Sequence, residues 1–367
     1  MRCVPLSELS ATDWNRAVDH SNEAWLFHRA EWSRIEGSFF ARDNFSFAVI
    51  DAQKEIAGVC PLYRREIGRG AWTESLLDTG HHRQAGPAFV DALPPPQRKA
   101  AYKAALRHVL ETAERLDVDR ILLNAHNLAP ANRRDRRREV ASWMRDHPFE
   151  RGLHFGPQGE QALPGLATFI VDQIVDLSRD VTELWKRLDE DCRNAVRKAQ
   201  TFGFSLVVNP AEAVELLYGL ARASSERTGE TLAPEAYYRA LGESLVKIDR
   251  AALLFAFHGD TPAAAVGIGI DKGAAAYLMG ASRQEFLTHR VNNFIQWEVI
   301  AWAKARGLSL YRLGPIFPHA PREWPISRVS RFKGDFGGDA LTIVQGCLFR
   351  KPEKYREERE RVLQERS

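Results

Sequence analysis

The chain has 367 residues, 44% of them apolar and 27% charged, with a formal net charge of +3. That length exceeds an ordinary single domain, and the apolar share suffices for two cores, which excludes a disordered chain. So small a charge excess does not mark a dedicated nucleic-acid binder, whose basic residues are more numerous and clustered. Residues 11–20 and 28–38 predict two short helices. Phe45 to Asp51 and Ile56 to Tyr63 predict a hairpin across a polar link, and another strand or two falls between Ser75 and Val90. Pro94, Pro95 and Pro96 precede a helix with Tyr102, Ala105, Leu106, Val109, Leu110 and Ala113 at helical spacing. Arg120 to Asn124 reads as a short buried strand. Residues 130–165, with RRDRRRE, several glycines and prolines, read as a basic surface helix and a connector.

The second half repeats that order. Phe204 to Val208 predicts a strand, and helices follow at 211–228 and 234–247. Leu253 to His258 and Ala263 to Asp271 predict a hairpin around Gly259 and Asp260. Ala275 to Ser282 is a third strand, and a helix from Arg290 to Arg306 stops at Gly307. Leu308 to Leu313 and Leu341 to Phe349 close the set, followed by a charged C-terminal helix. A structural duplication explains the repetition, with one unit over residues 1–165 and a second over 166–367. The element order resembles the GNAT acyltransferase fold, a mixed α/β sheet flanked by helices, in two tandem copies.

Cys3, Cys60, Cys192 and Cys347 are far apart, with no paired spacing and no histidine at zinc-site distance. They read as reduced thiols, and no metal is expected. The N-terminal stretch lacks a leader's apolar core, and no apolar run approaches the ~20 residues of a membrane span. The expectation is a soluble cytoplasmic protein.

A usual GNAT enzyme follows its fourth strand with a glycine loop whose backbone N–H groups cradle a diphosphate at a helix N-terminus. Here the corresponding residues run Arg290, Val291, Asn292, Asn293, Phe294, Ile295. Neither glycine position is glycine, so a side chain at Asn293 obstructs close backbone approach. The first half holds Arg83, Gln84, Ala85, Gly86, Pro87, Ala88, a literal match read as chance, since Pro87 removes a donor.

Four segments over roughly 175–350 together resemble the FemABX family. They are Leu184 to Leu188 leading into Arg193 to Ala199; Ser225 to Gly229; Gly280 to Ser282 with Asn292, Asn293 and Gln296 to Glu298; and Arg331 to Gly338. The first half matches through Phe27 to Trp32. The resemblance implies aminoacyl transfer from aminoacyl-tRNA to an amine, on a nucleotide- or lipid-linked cell-wall precursor or a related metabolite, without a tightly bound cofactor. It implies that Arg227 contacts substrate phosphate. It also implies that Lys333, with Phe332, lies near the reacting ester. After Trp32, Arg34 is the cation nearest in place to a family lysine.

Chemically, Lys333 could hold a phosphate or a developing oxyanion, and Gly334, Gly337 and Gly338 would let backbone approach a ligand. A single helix from Thr182 to Gln200 would place Lys186, Arg193 and Arg197 on a broad face, toward phosphate or simply toward solvent. Asn292, Asn293 and Gln296 at a helix start could cap it or bind ligand amides. Arg133, Arg134, Arg136, Arg137 and Arg138 are a solvated run and a candidate landing patch for tRNA or an anionic membrane surface. His126, His289 and His319 are isolated, and none is named as a base. Two rivals stay open: an N-acyltransferase using acyl-CoA or acyl carrier protein on an amino sugar of a surface polysaccharide, and a degenerate GNAT pair that binds without turnover.

Overall fold

The computed structural model describes residues 1–41, 43–69, 72–80, 85–134, 150–151, 171–317, 320, 322–342, 344–351, 353–354 and 356–357. Arg83, Gln84, Arg136, Arg137, Arg138, His319, most of the connector and the last ten residues of the C-terminal tail lie outside them. The chain divides into two compact units, Met1–Phe169 with Ile343–Ser367, and Ile170–Thr342. No described helix is long and apolar enough to cross a membrane.

The first unit holds β1 (Arg2–Pro5), α1 (Ala11–Asp19), α2 (Ala30–Phe39), β2 (Asp43–Asn44), β3 (Phe47–Ile50), β4 (Ile56–Cys60), β5 (Tyr63–Arg69), β6 (Trp72–Asp78), β7 (Ala88–Phe89), α3 (Pro95–Arg115), β8 (Arg120–Ala125), α4 (Pro130–Arg134) and β9 (Glu150–Arg151). The Ser10 hydroxyl caps α1 by accepting from the Asp13 N–H at 3.0 Å, and Trp14, Ala17 and Val18 face inward. Pro95 opens α3, whose Ala101, Ala105, Val109 and Ala113 form a buried stripe. β3 and β4 form the expected hairpin in a four-stranded sheet ordered β1-β3-β4-β7. Tyr63 is not its continuation. The chain breaks at Pro61, and Tyr63 begins β5, which pairs antiparallel with β6 in the second sheet of this unit.

The second unit holds β10 (Val171–Asp176), α5 (Val181–Arg187), α6 (Glu190–Phe202), β11 (Phe204–Val208), α7 (Ala213–Thr228), α8 (Glu235–Leu241), β12 (Ala251–His258), β13 (Thr261–Asp271), β14 (Ala274–Ser282), α9 (Val291–Ala305), β15 (Leu310–Ile316), α10 (Pro325–Gly334) and β16 (Asp339–Thr342). Its seven strands run β11-β12-β13-β14-β15-β10-β16. One sheet face packs on α6 and α9 through Leu254, Val266, Ile268, Val196, Phe294 and Ile300.

Three expectations are corrected. The helix read over 182–200 is two helices: Leu188 is extended, and the Asp189 carboxylate caps α6 by accepting from the Asp191 N–H at 2.9 Å. The glycine loop carrying Lys333 is in fact the last turn of α10. The single strand over 341–349 is two, because after β16 the chain returns to the first unit. There β17 (Val344–Phe349) pairs antiparallel with β8 and β9 in a sheet ordered β2-β5-β6-β8-β17-β9. The sequence boundary at 165/166 had placed that strand in the second unit.

Gly203 and Gly338 separate two uses of glycine. Gly203 ends α6 at φ +89° with open space around it. Gly338, at φ +90°, lies against β10, where a Cβ would stand 2.4 Å from the Ile174 carbonyl oxygen. Gly203→Ala should cost about 1–2 kcal/mol of unfolding free energy from left-handed strain alone. Gly338→Ala should cost clearly more, and urea denaturation of both variants measures the difference.

Candidate functional site

The second unit's sheet opens at its centre. β14 and β15 run parallel and pair only over Ala274 to Ala276 with Leu310 to Arg312. Beyond that, β14 follows β13 to Ser282 and β15 follows β10 to Ile316. Each strand bulges where they part. Leu278 is the extra residue of β14, and Leu313 is the extra residue of β15. Bulges bend and twist a strand, so the parting is built into both edges.

Lys333 sits at the β15 bulge. Its Nζ donates to the Pro315 carbonyl oxygen at 3.0 Å. Gly314 has φ +100°, and a Cβ there would come within 3.1 Å of Nζ. Glycine therefore serves both the backbone conformation and the seat of the amine. Beside this seat, Arg312 on β15 and Asp172 on β10 form an ion pair at 2.6 Å, with side chains only 2% and 1% exposed. Burial lowers the proton affinity of Lys333, the Arg312 charge lowers it further, and Asp172 opposes in part, leaving its pKa at about 8. Phe332, next to Lys333 on α10, packs on the core fringe with its ring 5.2 Å from that of buried Phe336.

The glycines after Lys333 do not line an open cradle. A Cβ at Gly337 would stand 2.7 Å from the Arg187 carbonyl oxygen, and Gln173 Nε2 donates to the Gly337 carbonyl. They let α10's exit lie close against α5 and β10.

On the parting strands, Tyr311 is fully buried, and its hydroxyl donates to Gln296 Oε1 on α9 at 3.0 Å. Tyr277 stands where β14 leaves its partner. Burial, with Glu230 adding, pushes its phenol up to about 12. Gly229 and Glu230 follow the last turn of α7, so that turn reaches the same part of β14. Arg227 lies there, exposed, with Nη2 donating to Ser224 Oγ at 3.1 Å.

The other candidates are placed separately. Arg193 folds back onto the end of α5, donating to the Lys186 carbonyl at 3.1 Å and to the Leu188 carbonyl. Arg197 lies 5.4 Å over the Trp185 ring. Asn292 is half-buried at the start of α9, while Asn293 Nδ2 reaches the Cys192 sulfur at 3.7 Å. Trp297 is core, edge-on to Trp185 at 4.8 Å. Arg34 is on α2 in the first unit. His126 is buried and stacked on Trp25 at 4.7 Å, and His289 is stacked on Phe202 at 3.6 Å. Gly86, from the literal glycine-loop match, lets backbone approach backbone: a Cβ would stand 2.1 Å from the Asn124 carbonyl oxygen. Cys3, Cys60 and Cys192 are free thiols, with proton affinities raised by burial. Among the described residues, no group of three or more metal-ligating side chains comes together.

Sequence reasoning missed Asp172, Arg312, Tyr311 and Tyr277. The first two left a signal: a lone acid in the apolar run VDQIV and a lone arginine in LYRLG, since charges inside such strands are buried in pairs.

Residues 186–322 match the acetyltransferase (GNAT) domain family. No curated protein matches the chain. Among solved structures, FemX superposes with a TM-score of 0.66 at 14% identity, covering 94% of this chain and 97% of that one. The C-terminal domain of a putative lysylphosphatidylglycerol synthetase from Agrobacterium fabrum gives 0.59 at 10% identity, covering 96% of each chain. L-PGS from Bacillus licheniformis gives 0.54 at 10%, covering 84% of this chain and 87% of its own.

The buried pair makes a prediction. Asp172→Asn leaves the Arg312 charge without its partner and should cost about 3–5 kcal/mol of unfolding free energy, measured by urea denaturation. At these identities the likeness to solved proteins is one of fold, and in fold the chain resembles the FemABX enzymes as two GNAT-like α/β units.

Proposed function

We propose that this protein is an acyltransferase of the FemAB-like type, moving an aminoacyl group from aminoacyl-tRNA to an amine of a cell-wall precursor or a related small metabolite. The observation that carries the reading is the half-buried Lys333 amine, fixed on the β15 bulge where the parallel strands part. In the reaction, the acceptor nitrogen attacks the ester carbonyl and a C–N bond forms. The carbonyl oxygen becomes an oxyanion, which the Lys333 ammonium stabilises by charge. Collapse breaks the ester C–O bond, the ribose oxygen leaves and takes a proton, and the nitrogen loses one. An ester of tRNA is already activated, so positioning supplies much of the rate.

The start of α9 supports a donor other than CoA. Arg290 precedes it at φ +63°, Val291 is buried, and Asn293 is turned to Cys192, with no glycine in the turn. The match of residues 186–322 to the acetyltransferase domain favours the second reading, an N-acyltransferase that uses acyl-CoA.

Two measurements separate these. Charged tRNA, acetyl-CoA and longer acyl-CoAs are offered one at a time with candidate amines, and donor deacylation is followed. Loss of the tRNA ester supports the first reading, and deacylation of CoA donors alone overturns it. With the active donor, Lys333→Met should lower turnover about 10²-fold while leaving the urea midpoint near wild type. Because the Lys333 pKa is about 8, the charged form disappears as pH rises through that value. The wild-type rate should therefore fall on an alkaline limb near pH 8, and Lys333→Arg should move that limb upward.

A further inference from the structure

The helix that carries Lys333 has a second face that the proposed transfer does not use. Its inward row is fixed to β15 and to Phe317 just after it. The Ser330 hydroxyl accepts from the Phe317 N–H at 2.9 Å, and Lys333 Nζ donates to the Pro315 carbonyl at 3.0 Å. On the opposite side of α10, Trp324, Arg328 and Arg331 stand at i, i+4 and i+7 and share one face. Pro325 and Val329 form the row beside it. All five side chains are exposed.

Two features set this face apart. Trp324 is 43% exposed and Val329 44%, and among the described residues they are two of only six large apolar side chains left exposed. The cations around them are not neutralised by contact: Arg322, Arg328 and Arg331 form no ion pair with a described residue. The acids of the segment are Glu323, exposed before the helix, and Asp335, half-buried after it. Three arginines against these two leave the segment cationic.

We propose that the outward face of α10 docks this protein on an anionic lipid surface. Exposed apolar side chains interleaved with arginines are the pattern of a helix lying in the plane of a membrane interface. Trp324 sits at headgroup level, where an indole finds both apolar and polar neighbours, and the arginines meet lipid phosphates. The same cations suit nucleic acid, but an RNA end offers phosphates and stacking bases and no partner for the aliphatic Val329. The apolar pair therefore favours lipid. Lys333 lies on the inward row of the same helix, so docking brings it within a helix diameter, about 10–12 Å, of the lipid surface. Under the proposed transfer this favours an acceptor presented at that surface, and only that consequence rests on the transfer.

The test uses the full chain with no donor or acceptor present, so its failure leaves the transfer reading standing. Co-sedimentation should show binding to mixed vesicles of phosphatidylglycerol and phosphatidylcholine, far weaker binding to phosphatidylcholine alone, and release on raising salt. Arg328→Gln and Arg331→Gln should each weaken binding about 5-fold. Trp324→Ala combined with Val329→Ser should weaken it at least ~10-fold. All four side chains are exposed, so the urea midpoints should stay near wild type. Lys247→Gln with Ile248→Ala removes an exposed cation and an exposed apolar side chain elsewhere in the unit and should leave binding unchanged. No preference for anionic vesicles, an equal loss in that control variant, or α10 variants that lose uncharged tRNA while keeping vesicles overturns the proposal.

Discussion

The hydrogen bond from Lys333 Nζ to the Pro315 carbonyl is the contact on which the proposed chemistry of the second unit rests. A lysine so placed gives up hydration for one carbonyl and the neighbourhood of a second cation, Arg312. It can be seated there because Gly314 leaves room for it, the Pro315 carbonyl accepts from it, and Asp172 pairs with Arg312 beside it. The amine comes from α10, its seat from β15 and the partner of Arg312 from β10. The seat therefore forms only when the sheet is assembled, and its proton affinity reports that assembly.

The parting of β14 and β15 follows from the same economy. Two parallel strands held over three residue pairs and then drawn toward different neighbours leave main-chain edges and side chains facing a common space. Tyr311, within the paired stretch, donates a buried hydrogen bond to Gln296 of α9, and Tyr277 stands at the bulge of the other strand. The architecture matches the acetyltransferase domain family over residues 186–322, yet the helix that follows β14 begins without its glycines. The fold is shared with FemX and the other solved structures it superposes on, and under the proposed function the glycine-free helix start supports a donor that needs no diphosphate cradle.

Much of the fold was legible because periodicity and punctuation carry it. The hairpin around Gly259 and Asp260, the helix stopped by Gly307 and the proline-led α3 all lie where the residues predict them. The errors share a cause: long-range pairing leaves little local trace. Thr182 to Gln200 has continuous helical composition, and only the turn at Leu188 and the Asp189 cap divide it. Phe332, Lys333 and Gly334 look like a loop because glycines follow them, although Pro325 starts a helix there. β17 belongs to the first unit because its partner is β8, more than two hundred residues earlier, which no local pattern announces. The site was half legible. Lys333 stood out through a family resemblance, whereas Arg312 and Asp172 required noticing charges inside apolar strands.

The central claim is that the folded protein itself holds Lys333 at a lowered proton affinity. It is tested most directly by following the side-chain carbon beside Nζ by NMR as pH is raised, in protein labelled at lysine, with Lys333→Arg identifying the resonance. The account predicts a titration midpoint near 8. A midpoint at the free-lysine value, about 10.4, would contradict it and would leave Lys333 an ordinary solvated cation.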